Sequence, residues 1–149
     1  MPVTQEKIVT PFIAKFNGVL KNALEWSHWE TLVDTLLAKS DGGWYVYYVG
    51  EEVPKSPLSP WQFDGFLEKI SDLLRREHDE PYLGIVYVDD FEDPAFVKIY
   101  DPNDLGSACG SSGRRVLPSW VLSRVPPIDL NAAVSNPGNR RRWWQRLFA

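Results

Sequence analysis

Residues 59–78 constrain this chain more than any other stretch. Ser59-Pro-Trp-Gln62 combines an N-cap serine, a proline at the first helical position and a glutamine at N3, so a helix starts there. Phe63, Phe66, Leu67, Ile70, Leu73 and Leu74 then recur at spacings of three and four. Glu68, Lys69, Asp72, Arg75 and Arg76 occupy the rest of the circumference. Pro81, after the charged run Arg75 to Glu80, closes a helix expected over 60–78. Aromatic and β-branched runs stand on both sides: 44–49 before it, 82–88 and 96–100 after it. A helix with one apolar stripe, set between such runs, has to bury that stripe on a sheet. The fold class is therefore α+β.

The strands 82–88 and 96–100 flank the turn-prone stretch Asp89 to Ala95 and form a hairpin. Together with 44–49 they predict a three-stranded mixed sheet, in which the strand–helix–strand unit makes a right-handed crossover. Upstream, Thr10-Pro11 opens a helix expected over 11–26, with Phe12, Phe16, Val19, Leu20, Ala23 and Leu24 as its buried face. Ser27-His-Trp-Glu30 fits a capping box for a second helix over 28–39, stopped by Asp41-Gly-Gly43. The helices cover mainly one face of a two-layer domain. Lys98 is the only charge inside a strand run, so the second face is covered too, with Leu117 to Leu122 as the candidate cover.

A chain of 149 residues fits one domain with its own core. A single cysteine excludes an internal disulfide framework and a multi-cysteine zinc cage. With no leader-like N-terminus and no apolar run of spanning length, the expected compartment is the cytoplasm. Residues 1–130 read as one globular domain, and 131–149 as a turn-forming linker followed by a cationic-aromatic tail. Net charge is −4, but residues 139–149 hold four arginines and no acid, which leaves the body with 12 basic against 20 acidic residues. A body that acidic repels phosphate backbones, so nucleic acid is not expected as a partner of the folded part.

That tail carries the leading functional expectation. Arg140, Arg141, Arg142, Trp143, Trp144, Arg146, Leu147 and Phe148 combine cations with interfacial aromatics, the chemistry that suits a protein groove or a membrane surface. The chain then reads as a small non-enzymatic interaction module. The competing structural readings are that the tail docks back on the acidic body as its last packing element, or that it is simply frayed. The alternative function centres on the loop Gly106 to Gly113, where Cys109 is a candidate nucleophile and Ser111 and Ser112 support developing charge. The same loop, with Cys109, Arg114 and Arg115, is also a candidate small-anion site. The lysine and spacing of a phosphate loop are missing there. No cofactor or metal site is expected: the acids at the hairpin tip lack calcium-loop spacing and read as a solvated edge. The aromatic strand Trp44 to Tyr48 and the cluster Trp61, Phe63 and Phe66 read as core.

Overall fold

The computed structural model describes residues 10–104, 117–130 and 136–148. Its elements are α1 (Pro11–Phe16), β1 (Lys21–Asn22), α2 (Trp26–Ala38), β2 (Tyr45–Tyr48), α3 (Pro60–Glu77), β3 (Val86–Val88), β4 (Phe96–Ile99), a single 3-10 turn (Pro102–Asp104), β5 (Trp120–Ser123) and α4 (Gly138–Arg146). The class is α+β, as the sequence pattern requires. The sheet, however, has five strands in the order β1-β3-β4-β5-β2, and every pairing is antiparallel.

Two corrections follow from that order. The expected three-stranded mixed sheet gains β1 and β5, and β5 lies between β2 and β4. The stretch 117–122, expected as a cover for the sheet, instead supplies an inner strand whose four residues are all buried. The strands on either side of α3, expected to run parallel through a right-handed crossover, are β2 and β3: they are separated by β5 and β4 and run antiparallel, so that crossover does not form.

The helix expected over 11–26 is also shorter. Thr10 caps α1 by accepting from the Ile13 amide, and the helix ends at Phe16 with Asn17 as its C-cap. The chain then turns into β1, whose Lys21 and Asn22 pair with Val88 and Tyr87. Leu20 packs on one side of the sheet and Ala23 belongs to the core on the other, as an extended chain allows at odd spacing. Val19 is 91% exposed and lies on neither face. The second helix begins at Trp26 rather than His28. Its box is formed by Glu25, whose amide donates to Nδ1 of His28. Strand 82–88 is reduced to Val86–Val88 because Gly84 adopts a φ of +71°, a conformation that interrupts a regular ladder.

Alternation along the strands divides the interior in two. Val46, Tyr48, Val86, Val88, Val97, Ile99, Trp120 and Leu122 face α2 and α3 in the larger core. The register aligns Val86, Ile99, Trp120 and Tyr48 as one row across four strands. Trp44, just ahead of β2, stacks on Phe63 of α3 at 5.2 Å with the rings nearly parallel. On the opposite face Phe12 and Phe16 of α1 pack on Tyr47, Phe96 and Val121, with Leu117, Val125, Ile128 and Leu130 at the margin. The Lys98 ammonium lies 3.8 Å over the Phe16 ring, which accounts for a charge inside a strand. Burial of Tyr47 holds its phenol above the ordinary value, against a backbone hydrogen bond with Leu130.

Phe63→Ala removes the stacked partner of Trp44 from a fully buried site. Urea unfolding is expected to show a loss of about 3–5 kcal/mol.

Candidate functional site

The C-terminal segment is where the sequence concentrates its unusual chemistry, and the fold gives it a specific seat. Asn136 fixes the approach: its Nδ2 donates to the Val49 carbonyl at 3.1 Å and to Glu51 Oε2 at 3.0 Å. Pro137 caps α4, and Arg140 follows in its first turn. The Arg140 side chain is 4% exposed. Its Nε and Nη2 donate to the two oxygens of Asp101 at 2.7 and 3.1 Å. Its Nη1 and Nη2 donate to those of Glu77 at 3.2 and 2.6 Å. One guanidinium thus makes a fork to each of two carboxylates, a geometry that arginine alone among the side chains provides. Asn103 donates to Glu77 Oε1, and its amide donates to Asp101 Oδ1, which fixes both acceptors.

Electrostatics follow from this arrangement. Hydrogen bonding from Arg140 holds the Glu77 carboxyl below its ordinary value of 4.5, against the opposing effect of burial. Burial on its own would lower the Arg140 pKa, but the hydrogen bonds and charges of Glu77 and Asp101 outweigh it and raise that pKa.

One turn further along, Trp143 meets Trp120 edge to face at 5.6 Å. Trp144 packs on Tyr48 at 5.3 Å and on Phe66 at 6.3 Å. Trp143, Trp144 and Leu147 are half-buried against the larger core. Among the tail residues singled out in the sequence, Arg140, Trp143, Trp144 and Leu147 therefore face the body. Arg141 pairs with Glu51 at 3.2 Å while staying half exposed, and Arg142 and Arg146 are exposed. Phe148 is held edge-on by Trp144 at 5.5 Å and keeps 36% of its surface open. Cys109, Ser111, Ser112, Arg114 and Arg115 lie outside the described residues.

A groove follows the seam between α3 and α4. At one end Lys69, Asp72, Arg76, Trp143, Arg146 and Leu147 line it. At the other, Trp61, Asp64, Glu68, Leu147 and Phe148 enclose a notch of about 300 Å³. Phe63 and Phe66 are core, as expected, but Trp61 is 84% exposed, a correction to its reading as core. Helical geometry accounts for this: 63, 66, 67, 70, 73 and 74 form the inward stripe, whereas 61, 65, 68 and 72 form the outward one. A tryptophan off the apolar stripe was the signal available in the sequence.

Both histidines serve local structure. His78 is buried at the end of α3 with Nε2 directed at the carbonyls of Tyr82 and Leu83, and His28 caps α2. At the hairpin tip, Asp89 Oδ1 accepts from the amides of Asp90, Ala95 and Phe96, so this acid organises the turn. Among the described residues no group of three or more His, Cys, Asp or Glu is placed to hold a metal ion, and no helix is long and apolar enough to cross a membrane. Comparison with family models, with curated proteins and with solved structures returns no match.

Two measurements check this arrangement. Arg140→Ala leaves two carboxylates without their counter-charge and is expected to cost about 3–5 kcal/mol, whereas Arg142→Ala stays within about 0.5 kcal/mol. Glu77 has a depressed folded-state pKa, so its contribution is present above about pH 4.5 and is lost as pH falls through the folded value. A thermal-melting series in that acid range should therefore fall more steeply for the wild type than for Glu77→Gln.

Proposed function

We propose that this chain is a protein-interaction module whose working surface is the outward side of α4 together with the exposed stripe of α3. The observation that carries this reading is the division of labour along α4. Arg140, Trp143, Trp144 and Leu147 are committed to the body, and the segment so fixed leaves Arg142 and Arg146 in solvent and sets Phe148 beside the solvent-facing Trp61. A large aromatic left in water beside a groove is the usual raw material of a binding hot spot. Rigid docking adds to this, because a surface held in place before binding loses less entropy on association than a free tail.

The same packing favours a protein over a lipid surface as partner. Interfacial binding uses tryptophans free to enter the headgroup layer, and here Trp143 and Trp144 are engaged with Trp120, Tyr48 and Phe66. Because α4 is part of the fold, a truncation is a poor probe. The charge-reversed double variant Arg142→Glu, Arg146→Glu leaves the inward contacts intact and should keep the wild-type melting temperature. Affinity purification of the full-length chain from its native host should recover a discrete protein that this variant loses. Recovery of the same proteins by both would overturn the reading.

A further inference from the structure

We infer that the notch between Trp61 and Phe148 is a receptor for a cationic side chain, an arginine or lysine, presented by a basic segment of a partner protein. The inference rests on the interaction-module reading and names the chemistry of its partner. Its walls are two aromatic rings. Trp61 projects from the first turn of α3 with most of its indole in solvent, and Phe148 is steadied by its edge contact with Trp144. Asp64 and Glu68, one helical turn apart on α3, line the same notch. Among the described residues neither carboxylate enters an ion pair.

Aromatic faces attract cations through their quadrupole, and adjacent carboxylates add charge complementarity. The two effects favour the same guest. An acidic or neutral side chain would meet repulsion from Asp64 and Glu68 or leave them unpaired. Gly65, which also lines the notch, has nothing within 4 Å of where a Cβ would stand, so the space between the walls is open. Lys69 and Arg76 lie toward the other end of the groove, together with Arg146 of α4 and a single acid, Asp72, and Leu147 borders both ends. A bound segment is therefore expected to run from a basic residue at the Trp61 end toward an acidic one beyond Leu147.

The test uses the full chain and two probes of the same shape: N-acetyl-arginine methylamide, and its neutral isostere N-acetyl-citrulline methylamide. The indole N–H resonance of Trp61, assigned by its loss in Trp61→Phe, is followed by NMR during each titration. Saturable shifts with the arginine probe, in the millimolar range expected of so small a ligand, support the inference if the citrulline probe is at least about fivefold weaker. Trp61→Ala, read at the amides of Gly65 and Glu68, and Glu68→Gln should each weaken the arginine probe by a similar factor without moving the melting temperature. Equal response to the two probes, or binding unaffected by both variants, overturns it. The broader reading is judged separately: a co-purifying protein lost from the Arg142/Arg146 variant but retained by Trp61→Ala and Glu68→Gln would sink the notch and leave the module standing.

Discussion

One guanidinium joins three distant parts of the chain. Arg140 on α4 holds Glu77 at the end of α3 and Asp101 just beyond β4, and all three side chains are largely withdrawn from water. Desolvating three charges is costly, and only geometry close to ideal recovers the cost. Two forks from one planar cation supply that geometry, and Asn103 satisfies remaining acceptor capacity on both acids. The seats of Trp143 and Trp144 depend on this arrangement, because the pairing fixes where α4 crosses the rim of the larger core.

The sheet that receives α4 has unequal faces. On one side α2, α3 and α4 cover a broad core. On the other, α1 and the extended run 125–130 close over a compact aromatic group built on Phe12, Phe16, Tyr47 and Phe96. A strand buried on both faces has no use for alternating polar residues, and Trp120-Val-Leu-Ser123 has none exposed. The groove, by contrast, lies at the outer margin, where α3 turns its polar stripe to solvent beside the last turn of α4.

Much of this fold can be read from the residues, for identifiable reasons. α3 has a capping box, a proline at N1 and six apolar positions on one stripe, so local and tertiary preferences agree. β2 is β-branched and aromatic along its length, and β4 is so except at Lys98. The misread elements are those whose local pattern is ambiguous. Residues 19–24 carry spacings that serve a helix or an extended chain equally, and pairing with β3 decides between them. β5 is no shorter than β2 or β4, but it starts two residues after Pro118 and behind a Gly/Ser-rich stretch, so no flanking pattern marks it as a strand. The opposite fates of Arg140 and Arg142 were not legible either, since no property of an arginine run says which member meets Glu77 and Asp101 across 63 and 39 residues of chain. Trp61 was misread as core by its neighbourhood in sequence, although its helical phase pointed outward.

The placement of α4 also bears on how the chain is assembled. By the time β5 has been made, every strand of the sheet and both large helices have been synthesised, but the rings of Tyr48, Trp120 and Phe66 still await the side chains that pack against them. Without α4, that aromatic flank lacks its cover and Glu77 and Asp101 lack the Arg140 cation. Exposed apolar surface of this kind makes an incomplete chain prone to aggregate, and docking of α4 removes it.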